Sequence, residues 1–327
     1  MKRVAVLTSG GDAPGMNACI RAITLTAQHF NIDTIGYRNG YNGLLEQDYM
    51  TLNADSVSRI VHQGGTMLRS ARCLPFKSKA GAQQACHNLN DLNIDGLIVI
   101  GGDGSMQGVN HLCQLWDKPV LALPGTIDND IPGTDNSIGF HTAIDTALNS
   151  IDKVRDTADA FERIFLVEVM GRHAGFIALA AAVGAGADYT LLPEIHNTEE
   201  KILNSVVDFI AQARQHRSNA SYVIVSAENL WQGGATALAQ TIQNEVGTNC
   251  HPVILGHVQR GGSPVVHDRL LATKLGAFAI ECLRDGISNC ILGEVGGELL
   301  ATPIPSLATE AKQLDPTLIK LQLNYLT

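Results

Sequence analysis

The sequence lacks the features that would place a chain in a membrane or on nucleic acid. No run of about eighteen apolar residues, the length that crosses a bilayer, occurs in the chain. Basic residues are in deficit, with 23 Lys and Arg against 32 Asp and Glu and a net charge of -9, which argues against binding nucleic acid or a membrane surface. An anionic substrate would therefore have to be held by a local cluster of basic residues.

The amino terminus and the cysteines lack secretory and metal-binding patterns. Met1-Lys2-Arg3 leads into a short strand-like segment without a long apolar stretch or a cleavage site, so we expect no signal peptide. The seven cysteines include no Cys-x-x-Cys pair and accompany no histidine cluster, so we expect neither disulfides nor a cysteine metal site. This pattern predicts a protein of the reducing cytoplasm.

Length and composition indicate a globular α/β protein. The chain has 327 residues, of which 45% are hydrophobic and 17% charged, values typical of this class. A chain of this length exceeds one small core, so we expect two domains.

The most informative segment is 124–130, Pro-Gly-Thr-Ile-Asp-Asn-Asp, which follows the apolar run 120–123. An apolar run bounded by Pro-Gly is typical of a buried strand, and ligands of parallel sheets bind where strands end. The alternative is a plain turn, since Asp and Asn favour turns on their own.

Two glycine-rich turns follow other apolar runs, at 101–105 and at 9–15. Without Cβ atoms their backbone N–H groups can converge on a phosphate, and a following helix adds the partial positive charge of its N-terminus. Asp103 would repel a phosphate, so we interpret it as a Mg²⁺ ligand. Three such turns, each after a predicted strand, are stronger evidence for a ligand site than any one of them.

Strand-like runs alternate with helical patterns along the whole chain. This order predicts an α/β fold of two Rossmann-like three-layer α/β/α domains with mainly parallel sheets. The predicted strands are 4–7, 94–100, 119–123, 164–169, 222–226 and 253–255. The predicted helices are 15–29, 78–92, 104–116, 140–158, 174–184, 198–216 and 265–284, the last packing back onto the first domain. The predicted domains are 1–139 with 257–305 and 140–256 with 306–327.

Six segments resemble the bacterial ATP-dependent 6-phosphofructokinases over nearly the whole chain. They are 10–17, 70–72, 101–105, 124–130, 168–172 and 255–264. The Gly-Gly-Asp-Gly turn alone is not specific, because NAD kinases and diacylglycerol kinases share it. The acidic cluster together with the later Gly-His-Val-Gln-Arg-Gly-Gly segment is specific.

The resemblance implies a fold, a reaction and an assembly. The fold would be the phosphofructokinase fold, in which the first predicted domain binds ATP and the second binds the sugar phosphate. The reaction would be ATP-dependent phosphorylation of fructose 6-phosphate at the 1-hydroxyl, the committed step of glycolysis, with Mg²⁺ as cofactor. The assembly would be a cytoplasmic homotetramer that binds neither nucleic acid nor membrane.

The resemblance also assigns roles around the acidic cluster. Asp128 would take the proton of the sugar 1-hydroxyl, as a carboxylate ionised at neutral pH can. Thr126 would donate hydrogen bonds to substrate and phosphate, and Asp130 would support the metal and the sugar hydroxyls. Asp103 would be the Mg²⁺ ligand, and Arg172 would stabilise charge on the transferring group.

Nucleotide and sugar contacts follow from the same resemblance. The implied nucleotide-binding residues are Gly11, Tyr41, Arg72, Cys73, Gly102, Asp103, Gly104, Ser105 and Gly108. The implied sugar-phosphate residues are Thr126, Ile127, Asp128, Arg163, Met170, Gly171, Arg172, Glu228, His251, His257, Val258, Gln259 and Arg260. Arg163 matches an arginine that a neighbouring subunit supplies to the 6-phosphate. Glycine at Gly104 and Gly125, where pyrophosphate-using relatives carry larger side chains, favours ATP as donor.

The chain departs from the family pattern at the second cross-subunit arginine. His251 is the residue best aligned with it, or Asn249 with a small shift, and neither is a permanent cation. His251 would help to hold the 6-phosphate only when protonated. The alternative is that His251 is a loop residue before Pro252 that touches no ligand.

A second departure concerns the effector site. Arg21, Arg155 and Asp188 match it, the last in place of a glutamate. Leu25 and Ala54 stand where the family has arginine, although Arg214 and Arg217, in a lengthened loop, offer compensation. We therefore expect weak activation by ADP and weak inhibition by phosphoenolpyruvate.

Two other functions remain open from the sequence. One is a kinase of the same fold that acts on another phosphorylated sugar, an alternative motivated by His251. The other is a non-catalytic paralogue that binds nucleotide and regulates an active partner. The joint presence of Asp103, Thr126, Asp128 and Arg172 argues against the second, because a binding protein needs no base.

Overall fold

The chain forms two compact units with an α/β architecture. The computed structural model describes residues 1–158, 163–216, 221–304 and 311–325. Unit 1 consists of Met1–Thr142 and Arg260–Lys312, and unit 2 of Ala143–Gln259 and Gln313–Thr327. Within the described ranges, no helix is both long enough and apolar enough to cross a membrane.

Strands and helices alternate along the chain. The strands are β1 (Arg3–Ser9), β2 (Asp33–Tyr37), β3 (Tyr49–Leu52), β4 (Gly96–Gly101), β5 (Val120–Pro124), β6 (Ile164–Val169), β7 (Tyr189–Leu191), β8 (Tyr222–Ala227), β9 (Cys250–Ile254), β10 (Cys290–Val295) and β11 (Glu298–Pro303). The helices are α1 (Met16–His29), α2 (Tyr41–Glu46), α3 (Lys79–Asp91), α4 (Asp103–Cys113), α5 (Phe140–Ala158), α6 (Phe176–Ala185), α7 (Glu199–His216), α8 (Gly234–Val246), α9 (Val266–Arg284) and α10 (Pro316–Lys320). Short 3₁₀ turns lie at Pro75–Lys77 and Gly256–Arg260.

Unit 1 is built on a sheet of order β11-β10-β5-β4-β1-β2-β3. Its neighbours pair in parallel except at the two edges, where β3 and β11 run antiparallel to β2 and β10. Leu97, Ile98, Val99 and Ile100 are all fully buried. Because successive side chains point to opposite faces, both faces must be covered. Helices α3 and α4 join the core on one face, and α1 and α9 pack together and contact the sheet.

Unit 2 has a parallel sheet of order β7-β8-β6-β9. Ile164, Leu166 and Ile224 form a core cluster with the apolar faces of α7 and α8. Val167 and Val225 alternate with these residues and are also fully buried, and α6 packs against β8. All the strands therefore end at one carboxyl edge, which carries Met170 and Glu228.

The predicted fold class is confirmed, and all six predicted strands are present. The five unpredicted strands are β2, β3, β7, β10 and β11. β3 and β11 are antiparallel edge strands with exposed residues, and β7 has three residues. Short or exposed strands carry weak apolar periodicity, so a single sequence does not mark β3, β7 and β11. α9 lies in unit 1 against α1, as predicted.

The first crossing between the units lies at Thr142/Ala143 rather than at 139/140. Asp268 of α9 is fully buried and accepts hydrogen bonds from Gly139 N at 3.0 Å, Thr142 N at 2.8 Å and Thr142 Oγ1 at 2.5 Å. The first N–H groups of a helix have no partner within the helix. Asp268 therefore caps α5 from a distant helix and keeps its first turn in unit 1.

The other two crossings also differ from the predicted boundaries. The second lies between Gln259 and Arg260 rather than at 256/257, because Gln259 accepts from Met170 N at 2.7 Å in unit 2. Arg260 Nη1 instead donates to Asp12 O at 3.2 Å in unit 1. The third lies after Lys312 rather than at 305/306, because Lys312 hydrogen-bonds to unit 1.

Asp268→Ala should lower the free energy of unfolding by about 2–4 kcal/mol, because it leaves buried donors of α5 without an acceptor. Denaturant unfolding of the variant measures this change. Asp285→Ala, in an exposed position at the end of the same helix, is the matched control and should stay within about 0.5 kcal/mol of the wild type. Equal losses in the two variants would contradict the capping role.

Candidate active site

Three predicted turns meet at the carboxyl edge of the unit 1 sheet. β5, β4 and β1 are adjacent and parallel, and Gly101 stands opposite Ser9 on one side and Pro124 on the other. Gly125 N donates to Gly101 O at 2.9 Å. A Cβ added at Gly102 would lie 3.6 Å from Thr126 Cβ. The glycine turns and the acidic cluster, which the sequence places far apart, thus lie side by side.

The turn 9–15 carries an arginine against its glycines. Gly10 has a φ of 88°, a left-handed conformation that glycine adopts at little cost. A Cβ added at Gly11 would lie 2.6 Å from Arg260 Nη1, so glycine makes room for the guanidinium. Arg260, predicted as a sugar contact, is therefore placed in unit 1 against a predicted nucleotide-binding turn.

The first turn of α4 rests on Tyr41. The ring of Tyr41 is 4% exposed, stacks on Phe76 with centroids 4.0 Å apart, and donates through its hydroxyl to Ser105 O at 3.0 Å. A Cβ added at Gly108 would lie 2.6 Å from that hydroxyl. Tyr41, predicted as a nucleotide contact, thus holds the start of α4 from the core side. Gly108, also predicted as a nucleotide contact, leaves room for the Tyr41 hydroxyl.

The two glycines used to predict the phosphoryl donor lie in different surroundings. Nothing lies within 4 Å of a Cβ added at Gly104, so the space above it is open, as the prediction requires. A Cβ at Gly125 would instead lie 2.8 Å from Ile100 Cγ2 and 3.0 Å from Met16 Cε. Glycine at 125 is therefore explained by close packing.

The loop after β5 is held by hydrogen bonds around Asn129. This residue has a φ of 54°, and its side-chain oxygen accepts from Ser137 N at 2.9 Å. Ser137 Oγ in turn donates to Thr126 O at 2.6 Å. Asp128 N donates to Thr126 Oγ1 at 3.2 Å. Thr126 and Asp128 are each 7% exposed, so the predicted base is fixed in a largely buried position.

Lys312 braces the same loop and was not predicted. Its Nζ donates to Asn129 Oδ1 and to Asp135 O, both at 2.8 Å. Burial lowers the pKa of Lys312 to about 8, although Asp135 and Asp130 oppose this shift. No sequence signal could have identified this lysine, because 183 positions separate it from Asn129.

Asp103 and Asp130 line one cavity of about 310 Å³ beside α4. Asp103 is exposed at the first position of α4 and accepts from Gln107 Nε2 at 2.8 Å. Groups of three or more His, Cys, Asp or Glu spaced to bind a metal are absent from the described residues. Mg²⁺ is commonly held by one or two carboxylates together with substrate phosphates, so this donor pair fits that ion.

At the carboxyl edge of the unit 2 sheet, Glu228 organises the predicted sugar-binding loop. Its Oε1 accepts from Gly171 N at 3.2 Å and from Arg172 N at 2.7 Å. Arg172 has a φ of 61° and an exposed side chain. Gln259 is fully buried and accepts from Met170 N at 2.7 Å. Glu228 and Gln259 therefore hold the backbone of residues 170–172.

Arg163 and His251 lie at the opposite edge of that sheet. Arg163 immediately precedes β6, and His251 pairs with Phe165 near the start of the same strand, with ring centroids 5.6 Å apart. His251 is a strand residue, so the alternative that it lies in a loop is wrong. Its Nε2 is buried and has no hydrogen-bond partner among the described residues. The six residues of β6 separate this edge from Met170 by about 20 Å.

The remaining predicted contacts differ in exposure. Ile127 is fully buried, which leaves only its backbone to reach a ligand. Arg72 is exposed, and its carbonyl accepts from Asn42 Nδ2 at 3.3 Å. Burial raises the pKa of Cys73, which makes a reactive thiolate unfavourable. His257 and Val258 are exposed in unit 2.

The predicted effector residues are largely engaged in structural contacts. Arg155 Nη2 donates to Gly186 O at 2.6 Å beyond α6, and Arg155 Nη1 lies 3.9 Å from Asp188 Oδ2. The same Asp188 oxygen accepts from Val223 N at 2.9 Å. Arg21 lies on α1 and is half-buried.

Of the two arginines expected to compensate, Arg214 does not lie in a loop. Arg214 is a helical residue of α7, which corrects its prediction as a loop residue. It donates to Val246 O at 3.1 Å and to Thr248 Oγ1, so it binds the end of α8. Arg217 lies outside the described residues.

The lowered pKa of Lys312 predicts a pH dependence of stability. Between about pH 8 and its usual value of 10.5, the unfolded chain binds a proton that the folded chain does not. The free energy of unfolding should therefore rise with pH in this window, relative to Lys312→Met, by at most about 1.4 kcal/mol per pH unit. Metal-free denaturant unfolding at several pH values measures the difference, and the exposed Lys118→Met is the control. If the free energy of unfolding of the wild type fell relative to that of Lys312→Met as the pH rose above 8, the assignment would be contradicted.

Comparison with known proteins shows the family of the chain. The family model described as phosphofructokinase matches residues 3–283. The chain is 43% identical over 321 residues to "ATP-dependent 6-phosphofructokinase 1" of Thermus thermophilus, covering 98% of each chain.

Solved structures show the same fold. Phosphofructokinase from Saccharomyces cerevisiae superposes with a TM-score of 0.85 at 32% identity over 94% of this chain, which spans 45% of the yeast chain. A pyrophosphate-dependent phosphofructokinase from Marinobacter aquaeolei superposes with a TM-score of 0.82 at 23% identity, covering 96% and 86% of the two chains. That likeness concerns the fold alone. By the match of its family model and the identity to its bacterial relative, the chain belongs to the phosphofructokinase family.

Proposed function

We propose that the protein transfers the γ-phosphoryl group of ATP to the 1-hydroxyl of fructose 6-phosphate. The observation that carries this proposal is the meeting of the two glycine turns and the Asp128 loop at one sheet edge of unit 1. Glycine turns bind phosphate through backbone N–H groups, and a nearby carboxylate can accept the proton of a hydroxyl nucleophile. The names of the bacterial relatives at about 42% identity agree with this function.

In this proposal unit 1 holds the nucleotide and carries the base. The N-terminus of α4 and the turns before it bind the phosphates. Asp128 takes the sugar proton as the new bond forms, and Thr126, which accepts from Asp128 N, fixes its position. Asp103 and Asp130, which line one cavity, are the oxygen donors for Mg²⁺. That ion would neutralise charge on the phosphates.

Unit 2 holds the sugar phosphate. Glu228 fixes the loop 170–172, and Arg172 stabilises charge on the transferring group. Arg163 and His251 stand together at the other edge of the sheet. We therefore propose that they serve the site of a neighbouring subunit, in the homotetramer that the family resemblance implies.

The proposals on the phosphoryl donor, the effectors and the localisation rest on the family resemblance and on individual contacts. The open space at Gly104 favours ATP over pyrophosphate as donor. Arg155 and Arg214 are engaged in contacts with helix ends, which supports weak responses to ADP and phosphoenolpyruvate. Cytoplasmic localisation follows from the reaction proposed.

A coupled assay with ATP, Mg²⁺ and fructose 6-phosphate tests the reaction. Asp128→Asn should lower kcat by about 10²–10⁴, because the isosteric amide cannot accept the proton. The dissociation constant of ATP should change little. Pyrophosphate as sole donor should support no turnover.

A matched variant makes the assay of Asp128 specific. Asp135→Asn changes a neighbouring carboxylate whose Oδ2 accepts from Gly296 N, and it should retain most of the activity. Turnover of Asp128→Asn within fivefold of the wild type would remove this residue from the mechanism. Wild-type protein that did not phosphorylate fructose 6-phosphate would overturn the proposed function. Phosphorylation of another sugar phosphate would then favour the alternative kinase, and ATP binding without any turnover would favour the regulatory paralogue.

His251→Arg should lower KM for fructose 6-phosphate, because a guanidinium stays charged and can bind a phosphate bidentately. Steady-state kinetics measure the effect. His216→Arg, exposed in the same unit, is the control. Equal KM values of wild type, His251→Arg and His251→Ala would mean that His251 does not touch the substrate.

A further inference from the structure

Arg69 combines an unfavourable backbone conformation with an exposed charge. Its φ is 58°, in the left-handed region that long side chains rarely occupy, and its side chain is exposed. Such strain persists where the surrounding structure imposes it, and it is concentrated at functional sites. Arg59 has the same φ of 58° and is also exposed, so conformation alone does not distinguish Arg69.

Hydrogen bonds fix the backbone around Arg69 against the end of β1. Arg69 O accepts from Thr8 Oγ1 at 2.8 Å, and Arg69 N donates to Thr66 O at 3.1 Å. The next residue, Ser70, donates through Oγ to Gly10 O at 2.5 Å. The left-handed conformation is therefore imposed by contacts that attach this segment to the glycine turn.

Arg69 lines a cavity at that turn. The cavity has a volume of about 270 Å³ and is lined by Gly10, Gly11, Asp12, Thr66, Arg69 and Ser70. A Cβ added at Gly11 would lie 2.6 Å from Nη1 of Arg260, so the guanidinium of Arg260 lies at the same turn. Within the part of the chain that the structure describes, the guanidinium of Arg69 makes no hydrogen bond or ion pair. Two arginines therefore flank one glycine turn in a chain whose net charge is -9.

We propose that Arg69 binds the phosphate chain of the nucleotide at the turn 10–12. This assignment rests on the proposed function and adds a cation to those implied by the family resemblance. The guanidinium fork matches two oxygens of a phosphate, and the glycine backbone contributes N–H donors beside it. The hydrogen bonds of residues 66–70 hold the arginine at the cavity before the nucleotide arrives.

Arg69→Gly and Arg59→Gly form a matched pair for the test. Glycine relieves the left-handed conformation at both positions, so neither variant should lose thermal stability. Isothermal titration calorimetry without sugar measures the affinity for MgATP and for AMP. Arg69→Gly should weaken MgATP binding by about tenfold, the effect of one partly screened charge-assisted contact, and leave AMP binding unchanged. Arg59→Gly should change neither, and Arg69→Lys should recover part of the loss.

Two results would overturn the assignment. One is wild-type MgATP affinity in Arg69→Gly, which would mean that the arginine does not reach the phosphates. The other is an equal loss for MgATP and AMP, which would indicate a change in the shape of the site. Calorimetry reads nucleotide binding alone, so both results are distinct from failure of wild-type protein to phosphorylate fructose 6-phosphate.

Discussion

The edge of unit 1 that we propose as the nucleotide site depends on the absence of a side chain at Gly101. β4 ends there between β1 and β5, and a Cβ at this position would lie 2.4 Å from Ser105 Oγ and 2.5 Å from Ser9 O. Real Cβ atoms do not approach other atoms so closely, so only glycine allows the three strand ends to meet. The first turn of α4, the turn 9–15 and the start of the acidic loop all build on this contact. A phosphate bound at any one of them would be close to the other two.

The acidic loop beyond β5 illustrates how buried charge is organised. Carboxylates in a largely buried loop are unfavourable unless other groups compensate for the lost hydration. In this loop, both neutral hydrogen bonds and a cation compensate for the burial of the carboxylates. Asn129 connects the loop to Ser137 through neutral hydrogen bonds, and Lys312 adds a cation that donates to the same amide oxygen. Burial disfavours the charged form of that lysine and therefore lowers its pKa. The predicted base is thus held by residues that take no part in proton transfer.

In unit 2, two groups of predicted sugar-phosphate residues lie at opposite ends of β6. At the end of β6, the carboxylate of Glu228 accepts hydrogen bonds from two backbone N–H groups of the predicted sugar-binding loop, which fixes the loop that carries Arg172. At the start of β6, Arg163 and His251 form a second group. A six-residue strand keeps the two groups about 20 Å apart, farther than any side chain reaches. This separation supports the proposal that Arg163 and His251 act on the sugar phosphate of another subunit.

The amino-acid sequence alone determined the fold class, the three turns and the family, because each depends on local information. Strands buried on both faces are continuous apolar runs, sharp turns need glycine or Asx residues, and the family motifs are contiguous. Tertiary structure decided the rest. The unit boundaries follow from Asp268 and Gln259, whose partners lie 129 and 89 positions away. Lys312 and the grouping of Arg163 with His251 likewise depend on the path of the chain. A hydrogen bond between distant residues forms only when folding brings its atoms within about 3 Å, and periodicity and turn chemistry carry no record of that approach.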